Sequence, residues 1–323
     1  MRNFWKGKKV LVTGAAGFIG SHAVDNLVSK GAKVTAAIFP KTDKNKINKN
    51  LKDSFGKIRL VECDLRDFNK CLKATKNKDV VLNFAAMDGS RSFKFKNSAE
   101  IFRTNNQIVL NLLEASYRNK VDRFLIMSSV EVYSENAILK ENKKLLESAK
   151  ADENGYVWSK RFSEVAAKMY FQQYGMKIAI ARPGNTYGPR DYFSSEKGRV
   201  IPTFISQCLS GESITIWGDG LQKNSFLYVS DLINGLLDLV EKYPNCDPVN
   251  IASSELVSIK DLAKSIIALV GNNNKLKLQK YDGPKIKDRI ISINKARKII
   301  DFNEKVELLQ GLEKTVRYFR NKD

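Results

Sequence analysis

The stretch Val10-Leu11-Val12-Thr13-Gly14-Ala15-Ala16-Gly17-Phe18-Ile19-Gly20 leaves this chain few folds to choose from. A short apolar, Val-rich run leads into glycines spaced three apart, and the helical pattern Ile19–Lys30 follows at once. A buried strand, a tight turn and a helix in that order open a βαβ unit. Gly14 suits the turn, Gly17 lets backbone N–H groups approach a diphosphate, and Gly20 lets the helix pack close to the sheet. The helix amino end adds partial positive charge facing the same anion. Gly14, Gly17, Phe18, Ile19 and Gly20 are therefore expected to cradle a dinucleotide, while His22 reads as structural.

The rest of the first 185 residues repeats the alternation. Lys9–Thr13, Val34–Phe39, Ile58–Glu62, Val80–Ala85, Arg123–Ser128 and Lys177–Arg182 read as buried strands. Helical spacing separates them, as in Ala99–Asn119 and in the stretch after Tyr156. Strands alternating with helices predict an α/β fold with a doubly wound parallel sheet, the Rossmann plan, over residues 1–185. After Pro183 the regular alternation stops. Helices are expected near Val200–Leu209, Val229–Lys242, Ile259–Val270, Asn294–Ile300 and Val306–Phe319, with a strand at Ser213–Trp217. Residues 186–323 thus read as a smaller mixed α/β lobe closing over the sheet's carboxyl edge as the substrate side. Lys41–Lys57, rich in Lys and Asn, reads as a solvated loop.

Composition narrows the partners. Hydrophobic residues at 43% and charged residues at 28% exclude wholesale disorder. The net charge of +20 raises nucleic acid, anionic membrane or phosphorylated small molecules. The lysines are spread along the chain without the aromatic interleaving of a base-stacking platform, so no nucleic-acid partner is expected. No secretory signal follows the basic Met1–Lys9, and no run approaches a membrane span. Cys63, Cys71, Cys208 and Cys246 are scattered, and one histidine leaves zinc almost no ligands, so no metal is expected. The cysteines read as reduced thiols of a cytoplasmic protein.

An NAD site normally presents a carboxylate at the end of the second strand, where this chain has Ala37-Ile38-Phe39-Pro40. Lys41 and Lys44 follow, and lysines beside a ribose 2′-phosphate favour NADP over NAD, although both also suit a solvated loop. Asp64, with Leu65 beside it, is placed after the third strand to reach the adenine edge, and Ala85 ends the fourth strand facing the cofactor. Tyr156 and Lys160 lie four apart at the start of a predicted helix and share one face. The ammonium is expected to lower the tyrosine pKa toward working pH. Ser129, just beyond the fifth strand, can share a proton with the tyrosine and hold a sugar oxygen.

Thr13–Gly20, Ser128-Ser129-Val130-Glu131-Val132-Tyr133, Tyr156–Lys160, Arg182-Pro183-Gly184-Asn185-Thr186-Tyr187-Gly188-Pro189-Arg190 and Gly218-Asp219-Gly220 follow in family order. Through them the chain resembles the extended short-chain dehydrogenase/reductase family, in its nucleotide-sugar epimerase/dehydratase branch. The resemblance implies an NAD(P)-dependent enzyme acting on a nucleotide-diphosphate sugar through a transient 4-keto sugar. It implies Tyr156 as base and acid, Lys160 on the nicotinamide ribose, and Ser129 on the sugar. It also assigns Asn105 to the support of the site, Asn185 to the sugar phosphate, Arg289 to the diphosphate and Arg199 to the substrate side. Glu131 matches the glutamate of 4,6-dehydratases, where it would remove the C5 proton; Val130 departs from the aspartate found in the dTDP-glucose type. The resemblance therefore favours a 4,6-dehydratase, with a 4-epimerase as the alternative and reductase or decarboxylase chemistry next. Outside enzymology stand an RNA-binding member and a dinucleotide sensor without turnover. In relatives the helices matching Ala99–Asn119 and Tyr156–Tyr174 form a four-helix bundle between subunits, which implies a homodimer.

Overall fold

A computed structural model of the 323-residue chain describes residues 3–133, 138–141, 154–193, 198–271, 275–280 and 288–321. The chain begins with strand β1 (Lys9–Thr13), helix α1 (Phe18–Ser29), strand β2 (Lys33–Ile38) and helix α2 (Lys44–Leu51). Strand β3 (Arg59–Glu62), helix α3 (Phe68–Thr75), strand β4 (Val80–Asn83) and the short helix α4 (Arg91–Lys96) follow. The long helix α5 (Ser98–Arg118) then leads into strand β5 (Arg123–Met127). Helix α6 (Gly155–Tyr174) precedes the strand Lys177–Pro183.

These strands build one parallel sheet in the order Val249–Ile251, Lys177–Pro183, β5, β4, β1, β2, β3. The expected Rossmann sheet is therefore present, and its order reverses between β1 and β4. Ligands of such sheets settle in the crevice outside the strand carboxyl ends at that reversal. Val10, Leu11, Val12, Val80, Val81 and Leu82 are wholly buried, as strands covered on both faces must be.

Two elements depart from the sequence reading. Lys41–Lys57 is not a loop throughout, because it contains α2. The Asp43 carboxylate caps that helix by accepting from Asn45 N at 2.9 Å, and Ile47 and Leu51, one turn apart, sink into the core. Lysines on the remaining face hide this seam in a compositional reading. Beyond Pro183 the chain also returns to the main sheet, since Val249–Ile251 pairs with Ala181–Pro183. Three residues are too few to show strand periodicity.

The helices Val200–Leu209, Val229–Lys242, Ile259–Val270 and Asn294–Ile300 have the expected bounds, and the last helix is Leu308–Arg320. Small paired strands join them, among them Asn185–Tyr187 with Phe226–Tyr228 and Ile214–Trp217 with Leu276–Gln279. One continuous apolar core runs from α1 and β1 through Val229–Lys242 to Phe319.

Candidate active site

A cleft of about 690 Å³ opens where β1 and β4 part. One end is the glycine turn. Gly14 has φ +60°, and a Cβ on Gly20 would strike the Gly14 carbonyl oxygen. No side chain caps α1, and its first turn carries no acidic residue. A bare helix end behind side-chain-free backbone is the cradle a dinucleotide diphosphate requires. Gly14, Gly17, Phe18, Ile19, Gly20, Asp64, Leu65 and Ala85 all line the cleft. Lys41 is exposed and lies outside the lining, where Thr42 and Lys46 stand instead. Lys46 Nζ donates to Tyr192 Oη at 3.2 Å. Asp64 is engaged by Arg66, whose Nε and Nη2 donate to its carboxylate at 2.9 and 2.7 Å and hold it below the usual carboxylate range. The Arg66 guanidinium lies 5.4 Å from the Phe39 ring centre.

The middle of the cleft holds the candidate catalytic residues. Asn154 caps α6 through Tyr156 N and Val157 N at 3.0 and 3.3 Å, which aims Tyr156 and Lys160 at the carboxyl end of β5. Ser129 accepts from Glu131 N at 3.1 Å and lies near enough to the Tyr156 phenol to favour its ionisation slightly. Lys160 Nζ donates to Met127 O at 2.7 Å. All three side chains are buried. Burial raises the Tyr156 pKa well above its ordinary value, and the Asp88 and Glu131 carboxylates add to that rise. The expected lowering of Tyr156 toward phenolate is thus not found: desolvation dominates, and the opposing pull comes from Arg199 and Ser129. Burial likewise lowers Lys160 to about 8, with Asp88 opposing the drop and Lys94 adding to it.

Glu131 lines the same cleft but is not a free base, because Lys94 Nζ sits 2.7 Å from its Oε1. Lys94 also reaches Asp88 Oδ1 at 3.2 Å, and Arg199 Nη2 reaches Asp88 Oδ2 at 3.2 Å. Burial opposes ionisation of Asp88, yet the two cations hold its carboxyl below the usual range. Buried Asp191, 3.9 Å from Arg199 Nη1, leaves Oδ2 without a hydrogen-bond partner. Burial raises its pKa.

Asn185 and Arg289 also line the cleft, and Asn185 Nδ2 donates to Ser225 O at 3.1 Å; Arg199 stands nearer the centre, against Asp88. Asn105 lies behind the lining. Its side chain accepts from Met87 N at 2.7 Å and donates to Met87 O at 3.1 Å, bolting down the loop that carries Asp88.

Sequence reasoning missed Asp88, Lys94, Asp191 and Arg66. Lys94 offers no signal, being one cation of a basic six-residue helix. Its burial depends on carboxylates from two other segments. Asp88 does carry a weak signal as an acidic residue just past a strand carboxyl end.

Comparison with known proteins agrees with this geometry. Residues 10–252 match the family model described as the NAD dependent epimerase/dehydratase family. A dTDP-4-dehydro-6-deoxy-D-allose reductase of a Streptomyces species is 38% identical, covering 98% of this chain and 97% of its own. A UDP-N-acetyl-alpha-D-glucosaminuronate decarboxylase of Bacillus cytotoxicus is 30% identical over 97% of this chain and 98% of its own. The solved UDP-glucose 4-epimerase of Thermotoga maritima superposes with a TM-score of 0.85 at 27% identity, covering 97% and 99% of the two chains. The chain belongs to the NAD-dependent epimerase/dehydratase family and is an enzyme of that family.

Proposed function

We propose that this enzyme reduces a nucleotide-linked 4-keto sugar, a 6-deoxyhexose being the favoured class. The observation that carries the reading is the ion pair at Glu131. The carboxylate that a dehydratase would use as its C5 base is tied to Lys94 at 2.7 Å, while buried Tyr156 lines the same cleft as the proton carrier. The name of the 38% identical relative, a reductase of a dTDP-linked 4-keto-6-deoxy sugar, supports the same class.

A reduced dinucleotide held by the glycine turn would supply hydride to the carbonyl carbon. The chain's own residues do the rest. Ser129 holds the carbonyl oxygen, and Tyr156 Oη gives it a proton as the C=O π bond opens, so that new C–H and O–H bonds balance the hydride and proton consumed. Lys160 holds its charge behind the phenol and stabilises the phenolate left after transfer. Asn185 and Arg289 line the cleft as donors suited to the sugar diphosphate, with Arg199 nearer the reacting sugar.

The coenzyme reading is NADP. Phe39 and Pro40 offer no carboxylate to a 2′-hydroxyl, whereas Arg66 and Lys46 line that end of the cleft. Cys63, Cys71, Cys208 and Cys246 form no disulfide among the described residues, which suits a reducing, cytoplasmic setting. Exposed Phe102, Leu110, Met169 and Phe171 on α5 and α6 suit a homodimer face.

A 4,6-dehydratase is the second reading, because Glu131 does line the cleft. Offering dTDP-, UDP-, GDP- and CDP-linked 4-keto and 4-hydroxy sugars with NADPH, and weighing the products, separates the two. Reduction adds two hydrogens to the keto sugar and consumes coenzyme. Loss of water from a hydroxy sugar without net coenzyme use would replace this reading with dehydration.

A further inference from the structure

Lys94 is only 7% exposed. A lysine out of water costs several kcal/mol unless it is paired, so its position needs a reason. Its Nζ stands 2.7 Å from Glu131 Oε1 and 3.2 Å from Asp88 Oδ1. It also lies 3.8 Å from the centre of the Tyr156 ring, and Lys160 Nζ lies 5.3 Å from the same centre. One phenol ring therefore carries two ammonium groups brought by different helices. Five segments converge there: Asp88 follows β4, Lys94 is on α4, Glu131 follows β5, Tyr156 and Lys160 are on α6, and Arg199 precedes Val200–Leu209. A merely structural ion pair has no need of a seat on the reactive ring. A cation on that face acts on the phenol through the ring quadrupole and through its charge.

We propose that Lys94 is a positioning residue of the reaction centre: clamped by Asp88 and Glu131 against the face of Tyr156, it sets the charge balance under which the Tyr156–Lys160 pair works. The proposal rests on Tyr156 as the proton donor. Every charged group facing Lys160 takes part. Asp88 and Glu131 favour its ammonium, Lys94 disfavours it, and burial also disfavours it. Removing Lys94 leaves Glu131 without that partner and Asp88 with Arg199 alone, so Lys160 keeps its proton to higher pH. Neutralising Glu131 does the reverse.

The test is kcat/KM of the full chain from about pH 6 to about pH 10, which reports groups of the free enzyme. The unsubstituted enzyme should show an alkaline limb near pH 8 as Lys160 deprotonates. Lys94→Met should move that limb up by about one pH unit, and Glu131→Gln should move it down by a similar step. Lys94→Arg, which keeps the charge, should leave it in place. Thermal midpoints of each variant identify misfolding, and Glu131→Gln carries the test if Lys94→Met does not fold. A limb that stays fixed in Lys94→Met and Glu131→Gln, with activity scaled equally at every pH, overturns the proposal. Tyr156→Phe separates it from the reading beneath. Full turnover in that variant would remove the proton donor itself, whereas an inactive Tyr156→Phe beside an unmoved limb would remove only the role of Lys94.

Discussion

At Tyr156, burial and proton transfer pull in opposite directions. The buried site favours the neutral phenol, and Asp88 and Glu131 reinforce that preference, so a phenolate formed by proton transfer depends on the Lys160 ammonium beside it. Tyr156→Phe keeps the ring and its packing but removes the transferable proton. Turnover should fall by about 10²–10⁴-fold while dinucleotide binding, read by fluorescence titration, stays within about twofold. Unchanged turnover would contradict the role. Ser129, Tyr156 and Lys160 were legible in the sequence because strand ends and a four-residue helical spacing fix their mutual placement. Lys94 and Asp88 were not, because their meaning comes from partners distant along the chain. The direction of the Tyr156 shift was misread for a related reason: spacing shows the neighbouring ammonium but not the desolvation that dominates.

Helices α5 and α6 position the reactive group by close contact. A Cβ on Gly155 would strike Ser98 O, and Gly155 N donates to Ser98 Oγ at 2.6 Å. Gly155→Ala should push the start of α6 away from α5, destabilising the protein by about 1–3 kcal/mol in urea unfolding. It should also cost turnover beyond that loss, because Tyr156 is the next residue. Retained stability and activity together would show that the helices can adjust.

Helix α1 is tied to the far segment in another way, since His22 Nε2 lies 2.9 Å from Pro189 O. Burial lowers the His22 pKa from 6.5 to about 4, Arg190 also lowers it, and the Pro189 carbonyl and Asp25 oppose the drop. A depressed folded pKa contributes stability above pH 6.5 that is lost as pH falls through 4. The full loss should be roughly 3–4 kcal/mol. NMR of this single histidine should show no protonation until the pH nears 4, and an ordinary midpoint would refute the burial argument. Elements with a clean period were legible here, the helix Val229–Lys242 to its bounds. Helix α2 was not, because two seated residues, Ile47 and Leu51, are outnumbered by surface lysines and asparagines.

For the whole molecule, the doubly wound parallel sheet follows from the alternation visible in the sequence, but the strand order and its reversal between β1 and β4 come only from the structure. So does the return of Val249–Ile251 to the sheet. The +20 charge has only partial local work at Lys160, Lys94, Arg199 and Arg289 in the cleft. Among the described residues no helix is long and apolar enough to cross a membrane. The apolar face of α5 and α6 leads us to expect a dimer by light scattering, and Met169→Glu with Phe102→Glu should shift it toward monomer. A monomeric unsubstituted protein would contradict that expectation.

Net reduction is the central claim, and the fate of one hydrogen tests it most directly. The enzyme is incubated with a dTDP-linked 4-keto-6-deoxyhexose and NADPH deuterated at the transferable position, and the product is read by NMR. The account predicts one deuterium at sugar C4 and one coenzyme oxidised per sugar. A product without deuterium, or turnover of a 4-hydroxy sugar with no net coenzyme oxidation, would contradict it.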